Sequence, residues 1–502
     1  MKKTLIALAS VAALGAAHAD VTLYGVIDAA ATSVSAAGNS DANNPGNINT
    51  LNSYASGGAG VSSLTGKVFN GASGKADALL GSGANGRVNA VANGLLQGSR
   101  WGMKGSEDLG QGLKANFVLE SALNIAGGTN PNDHLLLANY NSSQTGAGDS
   151  GTNGQMFDRQ ATVGLAGDFG SFDVGFQPNA NIDANASIDP FALGGISPVG
   201  FYSSWNGGGS SYTRMASNSI KYKTSMGMAQ VEAFYAMGGV SGNAGAGSQV
   251  GLMTKVQATP RLSLTLAASR MNDDVSFDSA PITINNSAGT GYNKDTGVAI
   301  PTAANAGIVG YSPALAAKYY NATTAIFGGS FQASSNLMLK AGYITITQSN
   351  PSNGSADALI FQNNGVPINP NAIVTQPFAT NQTRTIGFVG GTYDLTPTNH
   401  LTAAYYRGTL GAYTANAYGG NSTSPTTQVY SSNTYNYYAA AYVMDLSKKT
   451  NVYVAASYES IDNPGIGNAA VTAGTSGTTP MNQTTSAGTT QTLIAVGLRT
   501  SF

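Results

Sequence analysis

The 502-residue sequence contains no cysteine and few charged residues. Without cysteine the chain forms no disulfide, builds no thiolate metal site and has no cysteine nucleophile. Charged side chains make up 9% of the residues, whereas soluble globular proteins average about 25%. The formal net charge is −1, which argues against a nucleic-acid-binding protein because such proteins carry a basic excess.

Long apolar runs are also missing. Beyond the N-terminal twenty or so residues no run reaches the roughly 18 apolar residues of a membrane-spanning helix, although 42% of the chain is hydrophobic. Low charge without long apolar runs is typical of a transmembrane β-barrel, in which outward apolar residues alternate with inward polar ones. The 65 glycines, together with many Ala, Ser, Thr and Asn residues, indicate strands joined by polar loops.

The N-terminus has the pattern of a secretory signal peptide. Lys2 and Lys3 precede a short apolar stretch, and Ala17-His18-Ala19 matches a cleavage site. The alternative, an uncleaved anchor, would need about 20 apolar residues. We therefore predict a signal peptide over 1–19 and a single β-barrel domain over 20–502. Cleavage removes two of the 23 basic residues and none of the 24 acidic ones, which changes the net charge to −3.

Several segments alternate apolar and polar residues with the period of a β-strand. In 112–123 the apolar residues fall on one phase, and Lys114 and Glu120 fall on the other. The same alternation is present in 96–106 and 489–502. These segments are predicted to be strands with one apolar and one polar face.

Seven short connections rich in turn-forming residues alternate with long polar stretches such as 33–95 and 179–215. The short connections are 108–110, 168–170, 225–227, 259–260, 334–336, 396–398 and 447–449. Seven hairpins supply fourteen strands, and a first strand at 20–32 and a last at 489–502 make sixteen. The predicted fold is an all-β, sixteen-stranded antiparallel transmembrane barrel with long extracellular loops. Barrels of about 16–18 strands enclose an aqueous channel.

Four segments and the C-terminus resemble the general diffusion porins of Gram-negative outer membranes. The segments are 21–28 (VTLYGVID), 99–110 (SRWGMKGSEDLG), 159–170 (RQATVGLAGDFG) and 218–222 (NSIKY). The terminal Phe502 is similar to the family's barrel-insertion signal. The resemblance implies a sixteen-stranded barrel, usually a homotrimer, whose third long loop folds into the lumen and forms a constriction.

In that family, acidic residues on the inward-folded loop face arginines on the barrel wall. The third long connection here is 179–215, and its segment 189–195 (DPFALGG) resembles the family's PEFGG segment, with the acid before proline. Asp189 is therefore the first candidate for the constriction acid, and Asp183 is the second. The alternative is that both are ordinary solvated loop carboxylates.

Arg100 is the first candidate for a wall arginine. It lies about seven residues from the turn at 108–110, near the middle of the wall at ~3.3 Å per residue. A lipid-facing arginine there would cost roughly 2–4 kcal/mol, so the inward phase is expected; the alternative is a rim arginine paired with a loop. Arg214 matches another family arginine only approximately. Charged residues predicted to face the lumen by phase are Lys104, Lys114, Glu120, Lys221, Lys223 and Lys340.

Two positions depart from the family's arginine pattern. Strict alternation places Arg159 with Val163 and Leu165, on a face that contacts lipid or a neighbouring subunit; the alternative is a position near the rim. The family often has a further wall arginine in a GRQ segment, where this chain has Phe176. Anion selectivity therefore does not follow from the resemblance.

The late tyrosines are predicted to form an aromatic girdle at the membrane interfaces; the alternative is a row inside the lumen that guides sugars. They are Tyr435, Tyr437, Tyr438, Tyr442, Tyr453 and Tyr458. The string GSGANG at 81–86 is not a nucleotide site, because it lacks a flanking strand and helix. Neither a histidine cluster nor a catalytic triad is present, so we expect no metal, no cofactor and no enzyme.

The sequence thus predicts an outer-membrane channel for the passive diffusion of ions and small hydrophilic solutes. Its predicted partners are the lipid bilayer and two further copies of itself, and not nucleic acid. Two alternatives stay open: a substrate-specific channel, and an adhesive or structural barrel that acts through its long loops, such as 33–95.

Overall fold

The computed structural model describes the chain from residue 20 to residue 502 with gaps. The described residues are 20–34, 61–62, 67–68, 88–123, 125, 156–199, 215–239, 242–278, 291–292, 299–300, 316–352, 373–374, 378–416, 427–430, 432–462, 469–471 and 490–502. The predicted signal peptide and Arg214 lie outside them. Within the described ranges, no helix is both long and apolar enough to cross a bilayer.

Sixteen long strands account for most of the described residues. They are β1 Asp20–Val34, β2 Arg100–Gly110, β3 Leu113–Ala122, β4 Gln160–Gly167, β5 Gly170–Pro178, β6 Met215–Met226, β7 Ala229–Ala236, β8 Gln249–Thr259, β9 Leu262–Asp278, β10 Ala316–Ser334, β11 Leu337–Ser349, β12 Gln382–Thr396, β13 Asn399–Leu410, β14 Asn433–Asp445, β15 Thr450–Asp462 and β16 Thr490–Ser501. The predicted first and last strands agree with β1 and β16 to within a few residues.

Each long strand pairs antiparallel with the next, and β16 pairs with β1 from Val26 opposite Ser501 to Val34 opposite Leu493. The sheet therefore closes on itself. Closure satisfies the backbone groups that a sheet edge would leave unpaired, which is a requirement for strands in lipid. The prediction of a sixteen-stranded antiparallel β-barrel is confirmed.

All seven predicted hairpins are present, and one turn is shifted along the chain. The turn expected at 108–110 lies at Gln111–Gly112, where both residues have positive φ, 54° and 79°. That conformation is the one that matches the twist of a two-residue hairpin. Asp108 accepts a hydrogen bond from the Gly110 amide at 2.8 Å, so the residues that resemble a turn instead terminate β2.

Side chains alternate between two faces of the barrel. On the outer face apolar side chains are exposed, for example Val163 at 58% and Leu165 at 45% on β4. On the other phase of the same strand, Thr162 is buried. An exposed apolar outer face is what a hydrocarbon environment requires of a barrel.

Shorter elements lie in the connections. The predicted loop 33–95 contains a strand, Val88–Asn93, which pairs with the second half of β1 where β2 has not yet begun. Helix α1, Ala180–Ile188, follows β5 and begins at the N-cap residue Asn179, whose side chain accepts a hydrogen bond from the Ile182 amide. The remaining short strands are Val61–Ser62, Lys67–Val68, Gly291–Tyr292, Ala299–Ile300, Ile373–Val374, Tyr413–Asn416, Thr427–Tyr430 and Ala469–Val471.

Candidate functional site

Asp183 of α1 lies between two lysines of β6. Its Oδ2 atom is 2.7 Å from the Lys221 ammonium and 3.0 Å from that of Lys223. Glu232 on β7 approaches the same lysines at 3.6 Å and 3.2 Å and is itself buried. Two carboxylates and two ammonium groups thus alternate where α1 meets the wall. Lys223, with 47% of its side chain exposed, is the member most accessible to solvent.

The two lysines keep Asp183 ionised. Burial acts to raise the pKa of its carboxyl, but Lys221 and Lys223 outweigh burial and lower the pKa to about 2. A carboxyl whose pKa is depressed in the folded state stabilises that state above its unfolded pKa of about 4. This contribution is lost only as the pH falls from about 4 towards the folded value.

Asp189, the residue that follows α1, is fully buried. Its Oδ1 accepts a hydrogen bond from the Tyr406 hydroxyl of β13, and its Oδ2 accepts one from the Leu193 amide, both at 2.7 Å. Its carbonyl oxygen accepts a bond from the Lys340 ammonium of β11 at 2.9 Å. Burial raises the pKa of Asp189 despite these hydrogen bonds. Asp189 is a link between the loop and the wall and is not exposed to solvent.

The same loop is joined to a third part of the wall. The Gly195 and Ile196 amides donate to the Gly94 and Leu95 carbonyls at 3.2 Å and 2.8 Å. Those carbonyls lie in the short irregular connection, residues 94–99, between the strand Val88–Asn93 and β2. The Asp28 carboxylate stabilises this connection by accepting hydrogen bonds from the Leu96 and Gln97 amides, each at 2.8 Å.

A second charged cluster is formed by side chains of β1, β2 and β3 and by Arg159, the residue before β4. Glu120 accepts hydrogen bonds from Arg159 Nε at 2.7 Å and from the Tyr24 hydroxyl at 3.0 Å, and it forms an ion pair with Arg100, whose Nε lies 3.4 Å away. The arginine side chains are 21% exposed at Arg100 and 18% exposed at Arg159. Because two guanidinium groups share one carboxylate, this trio is net positive.

The outward placement of Arg159 by strict alternation is wrong. Arg159 precedes β4, so the alternation that exposes Val163 and Leu165 does not extend to it, and its side chain instead contacts Glu120. Phe176 lies opposite Ala161, on the same phase as the exposed Phe172 and Val174. Phe176 is therefore on the outward phase of β5, whereas Arg100 is on the inward phase of β2.

The other predicted residues are distributed along the wall. Lys104 is exposed, and its ammonium lies 5.4 Å from the centre of the Tyr24 ring. Lys114 is exposed and pairs in register with Asp108 beside the first turn. Phe502 exchanges backbone hydrogen bonds with Gly25 at 3.1 Å and 3.3 Å, which fastens the C-terminus to β1.

The tyrosine prediction is wrong for three of its six members. Tyr438, Tyr442 and Tyr458 are exposed on the outer phase, as a girdle requires. Tyr435, Tyr437 and Tyr453 are each 2% exposed and belong to an apolar cluster on the inner phase. The loop residues Ile188, Phe191, Ile196 and Val199 belong to the same cluster.

Sequence reasoning missed Asp28, Glu232 and Tyr406 as site residues. Each is a buried polar side chain on the inner phase. None of these residues has a pattern in the neighbouring sequence that indicates its partner. Among the described residues, no three His, Asp or Glu side chains are grouped to hold a metal ion.

Comparison with known proteins agrees with this architecture. The chain is 34% identical over 198 residues to an outer membrane porin of Bordetella pertussis, an alignment that covers 39% of this chain and 38% of that protein. It is 30% identical over 211 residues to outer membrane porin protein 32 of Delftia acidovorans, with 41% of each covered. The aligned parts thus span about two fifths of these relatives.

A solved structure shares the fold over nearly the whole chain. An anion-selective porin from Comamonas acidovorans superposes with a TM-score of 0.52 at 17% identity, covering 97% of this chain and 100% of that one. Residues 4–464 match the family described as Gram-negative porin. Porins are channels and not enzymes, in agreement with the expectation from the sequence. The chain belongs to the Gram-negative porin family.

Proposed function

We propose that this chain forms a water-filled channel in the outer membrane through which ions and small hydrophilic solutes diffuse. Family membership and the closed barrel with an apolar outer face support this function. The trimeric assembly usual for the family is proposed as well; chemical crosslinking in native membranes tests it. Cleavage after Ala19 is proposed from the signal pattern, and the mass of the mature chain tests it.

The segment 179–199 is proposed to fold into the lumen and to form the constriction. The observation that carries this proposal is its set of contacts with three separate parts of the inner wall. Asp183 contacts β6, and Asp189 contacts β11 and β13. Gly195 and Ile196 contact the connection 94–99, which lies beside β1. A segment outside the barrel would not contact inward-facing side chains on strands so far apart in the sheet.

Selectivity follows from the charges that remain in contact with water. Asp183 rather than Asp189 is proposed as the loop acid at the channel, because Asp189 is buried. The trio of Arg100, Arg159 and Glu120 is net positive, and Lys223 is exposed. We therefore propose a preference for anions.

Planar-bilayer recordings across a salt gradient test the proposal. Wild-type protein should conduct with a reversal potential of anionic sign, and Arg100→Ala should shift it towards cation selectivity. Arg261→Ala is the matched control, since Arg261 is exposed at the β8–β9 turn. An unchanged reversal potential in Arg100→Ala would reject the role of Arg100.

Liposome swelling separates the channel from the alternatives. Permeation by several small sugars and amino acids at rates ordered by size supports general diffusion. Block of the current by one solute at low concentration would indicate a substrate-specific channel. No permeation by any solute would reject both channel functions and favour an adhesive or structural barrel.

A further inference from the structure

Three glycines lie on the inner phase of the wall next to α1. They are Gly251 on β8, Gly328 on β10 and Gly342 on β11, and Gly328 pairs directly with Gly342. We call them the glycine seat. Glycine weakens a strand interior, and it is expected there where another part of the chain approaches closely.

Gly328 and Gly342 accommodate the last residue of α1. A Cβ atom at Gly342 would lie 2.8 Å from Ile188 Cδ1 and 2.4 Å from Phe388 Cζ. At Gly328 it would lie 2.7 Å from Ile188 Cδ1 and from the Ala341 carbonyl oxygen. Such separations are far inside the ~3.5–4.0 Å optimum for carbon atoms in contact. Ile188 therefore occupies space that exists only because both positions lack a side chain.

Gly251 accommodates the first residue of the helix. A Cβ atom there would lie 3.1 Å from Ala180 Cβ, while its next neighbours, Ser269 Cβ and Phe234 Cβ, are at 3.6 Å and 3.8 Å. The close approach is thus to α1 itself and to nothing else. Ala180 is fully buried against this position.

The two contacts support α1 at both ends. Between them, hydrogen bonds join Asn181 to Ser269 at 2.7 Å and Ser187 to Thr265 at 3.0 Å, so the helix is held along β9 over its whole length. The spacing between α1 and the wall is consequently determined by the glycines. A methyl group at Gly251 must displace Ala180 by a few tenths of an ångström, and one at Gly342 must displace the tip of the Ile188 side chain and the Phe388 ring.

We infer that the glycine seat determines the width of the channel at its constriction. The inference rests on the proposed inward fold of segment 179–199. A helix seated deeper in the wall leaves more open cross-section in front of it, on the side of Asp183. Gly251 and Gly342 are then positions that decide which hydrophilic solutes are small enough to pass.

The experiment compares single-channel conductance and sugar permeation in a set of glycine variants. Gly342→Ala should lower the conductance by about 1.5-fold, and it should slow larger sugars more than smaller ones. Gly251→Ala should have a smaller effect of the same sign, because its contact is less severe. Gly387→Ala is the control: its new Cβ would meet only Tyr343 Cδ2, at 3.6 Å, and should change neither quantity.

A methyl exchange tests whether the helix contact is the cause. Gly251→Ala combined with Ala180→Gly returns the same number of atoms to the interface and should restore wild-type conductance. The inference is overturned if the exchange fails to restore it, or if Gly251→Ala and Gly342→Ala both conduct as wild type does. If Gly342→Ala does not assemble, Gly251→Ala and its exchange decide the question alone.

Asp183→Asn distinguishes this failure from failure of the proposed constriction. If Asp183→Asn changes the reversal potential while the glycine variants change nothing, α1 lines the channel and only the inference about width is wrong. If Asp183→Asn and the glycine variants are all without effect, α1 does not line the channel. Both the proposed constriction and the inference about its width are then rejected.

Discussion

The inner wall of the barrel has two unlike halves. From β2 to β7 it carries charged side chains, among them Arg100, Glu120, Lys221 and Lys223. From β10 to β16 it is mainly apolar and aromatic, and these side chains are buried together with loop residues such as Ile188 and Phe191. This half also carries Lys340 and the buried Arg384 and Glu459. The segment 179–199 thus covers the apolar half and leaves charge accessible on the other, so the proposed channel is displaced towards β2–β7.

The difference shows that one short segment can cover the apolar part of the inner wall and leave the charged part accessible to solvent. Burial of the apolar half stabilises the attachment of the loop, since each large apolar side chain removed from water contributes roughly 1.5–3 kcal/mol. The charged half also holds the segment, through Asp183 and two lysines of β6, and it carries the charge that is accessible to solvent. Variants of the two halves should therefore change different measurements.

The largest effect is expected from placing a charge in the apolar half. Phe191→Asp removes a buried ring and introduces an unpaired carboxylate in the cluster, at a cost of at least the roughly 3–5 kcal/mol of losing the ring. The loop should detach, and single-channel recordings should show higher and noisier conductance. Ala192→Asp, at the exposed neighbouring position, is the control. Normal, quiet conductance in Phe191→Asp would contradict the division into halves.

A smaller effect is expected at the buried link between loop and wall. Asp189→Ala leaves the Tyr406 hydroxyl and the Leu193 amide without this acceptor, which should cost about 1–3 kcal/mol. Thermal unfolding of the detergent-solubilised protein measures this loss, and Tyr406→Phe, which removes one bond, should lose less. A shifted reversal potential with unchanged stability would instead show that Asp189 is exposed to the channel.

The smallest effect concerns the pH dependence of the charged half. Because the pKa of Asp183 is lowered to about 2, its charge persists between pH 7 and pH 4. Glu232 lies beside the same lysines, so the test is made in a Glu232→Gln background, where the reversal potentials with and without Asp183→Asn should differ by the same amount at both values. If the difference shrinks at pH 4, the pKa of Asp183 is not depressed and its pairing with Lys221 and Lys223 is not formed.

Most of the fold could be predicted because its signals are local. A strand alternates with period two, and a tight turn is encoded by two to four residues, so the hairpins and the phase of Arg100 follow from short stretches of chain. The error at Arg159 arose where a strand begins, because alternation holds only inside a strand. The strand Val88–Asn93 was missed because it forms by pairing with β1 and has no turn signal of its own.

By itself the sequence determined the antiparallel barrel and its strand number. Only the tertiary structure decided which inward residues the loop covers: it buried Asp189, left Asp183 beside Lys223 and divided the tyrosines between two environments. The physical reason is distance along the chain. Asp189 and Tyr406 are 217 residues apart, and no local pattern encodes a contact between residues that meet only when the barrel closes.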